Sequence, residues 1–73
     1  MAGYVATKYL DIEAMPGANS YPGTVDLNDP NSHLNVREEP STSASIIGKL
    51  NDGDKVTVYF DRKVPKGWSK ISF

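Results

Sequence analysis

The sequence predicts an all-β fold, a small barrel or sandwich of short antiparallel strands. Two observations carry that expectation. Lys55-Val56-Thr57-Val58-Tyr59-Phe60 alternates cleanly, with Val56, Val58 and Phe60 on one face and Lys55, Thr57 and Tyr59 on the other. Similar short apolar runs recur at intervals of roughly ten residues, each punctuated by Gly, Pro, Asn or Asp. Length sets the bound on both. The 73 residues make one small domain, with no cysteine to staple it, so a few elements must close efficiently.

Taken from the N-terminus, Tyr4 to Leu10 contains β-formers, yet Val5, Tyr9 and Ile12 also fit a helical stripe ended by Pro16-Gly17. Periodicity leaves strand and helix both open there. Residues 16–32 read mostly as loop, because Pro16, Gly17, Asn19, Ser20, Pro22, Gly23, Asn28, Pro30 and Asn31 crowd it. Thr24-Val25-Asp26-Leu27 is its one strand-like island. A loop of that length in a small domain is expected to be a binding loop or a linker. Leu34-Asn35-Val36-Arg37 is a strand stopped by Pro40, and Ile46 to Leu50 is a short strand feeding the turn Asn51-Asp52-Gly53-Asp54. In that turn Gly53 supplies positive φ and Asp52 is expected to cap its own backbone. Val64-Pro65-Lys66-Gly67 is a second turn. Trp68 to Phe73 forms the last strand, with Trp68, Lys70 and Ser72 on one face and Ser69, Ile71 and Phe73 on the other. The expected core is Val5, Leu10, Leu34, Val36, Ile47, Leu50, Val56, Val58 and Ile71.

Composition narrows the function. Eight Lys+Arg against nine Asp+Glu give a net charge of -1, without the basic excess that phosphate neutralisation requires, so no nucleic-acid partner is expected. The first 33 residues set Lys8 against Asp11, Glu13, Asp26 and Asp29, while residues 34–73 hold seven cations against five acids. A solvated surface of modest asymmetry explains that division. No stretch approaches the ~20 apolar residues of a membrane span, and the N-terminus lacks the apolar region of a signal peptide.

Catalysis finds little support. His33 is the sole imidazole, so any Ser-His-Asp set would have to use it, and no nucleophile-elbow spacing surrounds a serine; an exposed loop histidine is the simpler reading. Glu38 and Glu39 are adjacent and point to opposite faces of extended chain, so they cannot share a proton. Asp26-Leu27-Asn28-Asp29-Pro30-Asn31 fails the calcium-loop pattern, with Pro30 fifth, Asn31 in the glycine position and no Glu at position twelve; Asx turns account for it. The six glycines are dispersed, which removes any phosphate cradle. No catalytic residue, metal or cofactor is expected.

The aromatic residues are the better lead. Tyr4, Tyr9, Tyr21, Tyr59 and Trp68 can lay an apolar ring face on a sugar or peptide while a polar tip stays wet. Tyr59 faces away from Val56, Val58 and Phe60, so burial in the core does not explain it. Trp68 suits a barrel plug or a ligand platform equally, and Tyr4 is expected to be a plug. Arg37 presents a planar fork that suits a carboxylate, or else it pairs with Glu38 or Asp61. Asn35 is suited to read a backbone amide or to brace the long loop.

Five segments in order, Leu34-Asn35-Val36-Arg37, Pro40-Ser41-Thr42-Ser43, Ile47-Gly48-Lys49-Leu50, Gly53-Asp54-Lys55-Val56-Thr57-Val58 and Gly67-Trp68-Ser69-Lys70-Ile71, closely resemble a bacterial SH3 domain. Together they cover residues 34–73. The family pattern continues beyond its G-W-x-K-V strand with a closing segment of the form G-Y-V-x-x-x-Y-L. Here that segment stands at the front, as Gly3-Tyr4-Val5-Ala6-Thr7-Lys8-Tyr9-Leu10. The resemblance therefore implies a small SH3-like barrel with its strand order permuted: residues 1–10 the closing segment, 11–23 a linker, 24–73 the body. A circular permutant and an offset cut from a tandem array both fit that order. An unpaired edge on Trp68 to Phe73 would be covered by Gly3 to Leu10, from the same chain or from a domain-swapped partner, and a monomer is the favoured form.

What the resemblance implies about function is a non-catalytic module that holds an attached hydrolase or surface protein on peptidoglycan. Asn35, Arg37 and Ser41 would make polar contacts to a peptide stem or glycan, flanked by Tyr59 and Trp68. The setting would be extracellular or cell-wall, and the absence of cysteine suits a Gram-positive surface module. Two other readings stand beside it: a peptide-interaction module, and an engineered permuted form with no ligand of its own.

Overall fold

Alternation of β-branched and polar residues, broken by turn formers, builds strands, and strands without helices must cover their own apolar face. A computed structural model describes all 73 residues. Seven strands form: β1 (Ala2–Ala6), β2 (Leu10–Ile12), β3 (Ser20–Val25), β4 (His33–Arg37), β5 (Ile46–Asn51), β6 (Lys55–Tyr59) and β7 (Trp68–Ser72). They make one antiparallel sheet in the order β2-β3-β6-β7-β1-β4-β5. The all-β expectation holds.

The inner face of every long strand feeds one core. Val5, Val25, Leu34, Val36, Leu50, Val56, Val58 and Ile71 are buried together, with Leu10 and Ile47 only partly buried against them. Val25 on β3 and Leu34 on β4 stand far apart in sheet order yet share that cluster, so the sheet curls over itself. The curl is sealed by the β5–β6 turn, where Val25 N–H donates to the Asp54 carbonyl at 2.8 Å and Gly53 N–H donates to the Val25 carbonyl at 2.7 Å. Gly53 takes the positive φ that this turn demands, 86°.

Tyr4 to Leu10 resolves as strand, a 3-10 turn (Thr7–Tyr9), then the start of β2. β1 lies antiparallel to β7 within one chain, with Gly3 opposite Ile71, Tyr4 opposite Lys70 and Val5 opposite Ser69. Its other flank meets β4 through the single register pair Tyr4–Arg37.

Several expectations change. The stretch read as loop and linker holds β3, a six-residue strand that includes Pro22 and Gly23. Pro22 is tolerated because its carbonyl accepts from Glu13 N–H at 3.1 Å on the flank where β2 has already ended, so no ladder donor is missed there. Val25 thereby joins the core, at 1% exposure. Phe60 does not join Val56 and Val58 in the core: β6 stops at Tyr59, and although Phe60 N–H still donates in register to the Asn19 carbonyl at 2.9 Å, the residue lies past the core and is 61% exposed. Asp52 does not cap its own turn. Its Oδ1 accepts from Leu27 N–H at 2.8 Å and ties the β3–β4 loop to the barrel. The Asx-turn reading of Asp29 stands, with Oδ1 accepting from Asn31 N–H at 2.9 Å.

Candidate functional site

On the strands that form the middle of the sheet, the residues that do not enter the core share the outer face. Registers then align a cross-strand row: Tyr59 on β6 opposite Lys70 on β7, Lys70 opposite Tyr4 on β1, and Tyr4 opposite Arg37 on β4. At the usual interstrand spacing the row spans about 14 Å. Tyr4 is therefore no barrel plug. Gly3 and Val5 take the inner positions of β1, and Tyr4 between them faces outward, half-buried. Trp68 also sits on the outer face, opposite Ala6, whose small side chain leaves room beside the indole.

Two cavities flank Trp68, the larger along this face and the smaller at the β6–β7 end of the barrel, where the cavity also reaches the inner-face positions Tyr21, Val58 and Ser69. The larger, about 450 Å³, is bounded by Tyr9 of the 3-10 turn, Leu27 and Asp29 of the β3–β4 loop, Asn35 and Arg37 of β4, and Thr42. The smaller, about 260 Å³, holds Tyr21, Tyr59, Trp68 and Lys70 beneath the β6–β7 loop. The expected site residues divide accordingly. Asn35, Arg37 and Trp68 meet in the larger cavity, Tyr59 and Trp68 in the smaller one. Ser41 lines neither: its hydroxyl is bonded to Ser43 Oγ at 2.8 Å and accepts from Ser43 N–H at 3.2 Å.

Arg37 is held by one hydrogen bond from Nη1 to the Ala44 carbonyl at 3.0 Å, and not by Glu38 or Asp61. That contact fixes the guanidinium against the β4–β5 loop while leaving most of its five donors available to a ligand. His33 opens β4 rather than lying in a loop. It is exposed, lines the larger cavity, and its Nδ1 is 2.7 Å from Asn51 Oδ1 on β5, a cross-strand pair. No group of three or more His, Asp or Glu side chains that could hold a metal is present. Lys70 is absent from the expected site, and Tyr4 and Tyr9 enter the sequence reading only among the aromatic leads. Alternation already turned Lys70 outward, but its neighbours depend on the register of β1, which no local pattern encodes.

Fold and face together define a class: a small antiparallel barrel carrying an open groove of aromatic, amide and guanidinium groups. A family model for the bacterial SH3 domain matches residues 32–73, which run from just before β4 through β7, and the chain belongs to that family. Domains of this family are in general binding modules. No curated protein and no solved structure matches the chain significantly.

Proposed function

We propose that this domain is a non-catalytic module that binds peptidoglycan and holds an attached hydrolase or surface protein at the cell wall. The observation that supports it most is the convergence of Asn35, the open fork of Arg37 and one face of Trp68 on a single groove. A peptide stem offers a free carboxylate for the fork and backbone amides for Asn35; a glycan offers an apolar sugar face for the indole. Alone it binds weakly, and repeats or an attached enzyme supply avidity.

Purified domain is expected to co-sediment with cell-wall sacculi, and muropeptides are expected to change the fluorescence of Trp68, the only tryptophan. Trp68→Ala should weaken that binding at least tenfold, as loss of a central aromatic anchor does. Failure of the wild-type domain to pellet, or stronger binding to proline-rich peptides than to muropeptides, would overturn the wall reading and favour a peptide-interaction module.

The placement of the family's closing segment beside β7 supports the permuted order, with β1 completing its own barrel. A monomer is then expected, at the chain mass of 8.0 kDa by light scattering. Twice that mass would mean that β1 is exchanged between two chains.

A further inference from the structure

The second cavity and the loop above it have a charge that the first does not share. From Tyr59 to Lys70 the chain carries Arg62, Lys63, Lys66 and Lys70 against Asp61 alone, while the remainder holds four cations against eight acids. Asp61 also lines this cavity, its Oδ1 accepting from Lys63 N–H at 2.9 Å, so Lys66 and Lys70 stand there against one carboxylate that is already engaged by the loop. Lys66 and Lys70 line the cavity with Tyr59, Phe60 and Trp68. Tyr59 and Phe60 are 41% and 61% exposed, an unusual pair of large rings to leave in water on so small a protein.

We propose that the β6–β7 end of the barrel is a second binding site, separate from the Arg37 groove, for an acidic glycan whose sugars bear carboxylate or phosphate groups. Aromatic faces and ammonium groups side by side match the two halves of such a ligand. The rings take the apolar faces of the sugars, and Lys66 and Lys70 take the anions. A nucleic acid also joins rings to charge, but its dense phosphates would meet the acidic remainder of this small chain, and a local excess of three cations is a small footprint for it. Because Trp68 borders both cavities, occupancy of either is readable from the same indole.

The test uses the whole chain at low salt and follows Trp68 fluorescence with NMR shifts. Four probes are titrated: an oligogalacturonate, a phosphorylated mannan oligosaccharide, a neutral chito-oligosaccharide and a deoxythymidine oligomer. At least one of the two acidic polymers is expected to bind, shifting Tyr59, Lys66 and Lys70 resonances, and which one binds identifies the anion. Lys66→Gln with Lys70→Gln should weaken it at least tenfold, whereas Lys49→Gln with Lys55→Gln, equal in charge and placed on β5 and β6, should change it less than threefold. The Arg37→Gln variant should leave it unchanged, which separates this site from the wall-binding groove. Equal loss in the two double variants would reduce the effect to diffuse attraction and overturn the proposal. So would equal or tighter binding of the neutral sugar or of the oligonucleotide, or no binding of either acidic polymer.

Discussion

Ile71→Ala is expected to remove about 2–5 kcal/mol of stability, the usual cost of emptying a close-packed site of three methyl-sized groups. The whole domain has only about 4–11 kcal/mol to lose, from the per-residue stability of small folds and its 73 residues. Ile71 is fully buried at the middle of β7, with Val58 opposite on β6 and Gly3 opposite on β1. Three strands converge there, so the surroundings cannot collapse without breaking ladder bonds, and the cost should fall at the upper end. Urea unfolding would read it directly. Ile71→Val should cost about 0.5–1.5 kcal/mol, and Ile46→Ala, at a side chain 47% exposed, should stay within about 0.5 kcal/mol of wild type. An Ile71→Ala midpoint as close to wild type as that of Ile46→Ala would show that this barrel is not packed around Ile71.

The contrast between Ile71 and Val25 shows what was legible in the sequence. Ile71 could be placed in the core because Trp68 to Phe73 alternates, and alternation states which face is inside. Val25 could not, since Pro22, Gly23 and a crowd of Asn and Ser residues carry the local signature of loop. What makes Ser20–Val25 a strand is not local: β2 on one flank and β6 on the other supply its bonds, and Gly23 fits because a Cβ there would stand 2.8 Å from Val58 Cγ2. Phe60 failed for the opposite reason. Its N–H does extend the β3–β6 pairing to the Asn19 carbonyl, but the residue lies past the end of the core, a limit that no local pattern marks. Likewise the types of the site residues were readable, Arg37, Asn35, Tyr59 and Trp68 being outward on their strands. Their grouping was not, because Tyr59 and Arg37 become the ends of one row only when β1 inserts between β7 and β4.

That insertion makes Gly3→Val the most damaging substitution expected on β1. A Cβ on Gly3 would stand 2.3 Å from Val36 Cγ1, and 3.2 Å from both Ile47 Cδ1 and the Arg37 carbonyl oxygen. Side-chain rotation cannot relieve the carbonyl contact, so β1 must move off β4. Overpacking usually costs about 1–3 kcal/mol and sometimes more; a barrel whose β4–β5 hairpin is attached by one register pair, Tyr4–Arg37, belongs at the high end. A loss of about 3 kcal/mol lowers the Tm of a domain this size by roughly 12–24 °C. Gly17→Ala supplies the comparison, since its added Cβ meets nothing within 4 Å and only its φ of 78° is strained. Hydrogen exchange should localise the damage, with amides of β4 and β5 losing protection before those of β6 and β7. Ligand binding in the Arg37 groove should fall at temperatures where Gly3→Val is still folded, because Arg37 and Trp68 stand on opposite flanks of β1 and their separation depends on how closely it packs. A Gly3→Val domain with the Tm, exchange pattern and binding of Gly17→Ala would mean that β1 does not lie between β7 and β4, and that the groove is assembled some other way.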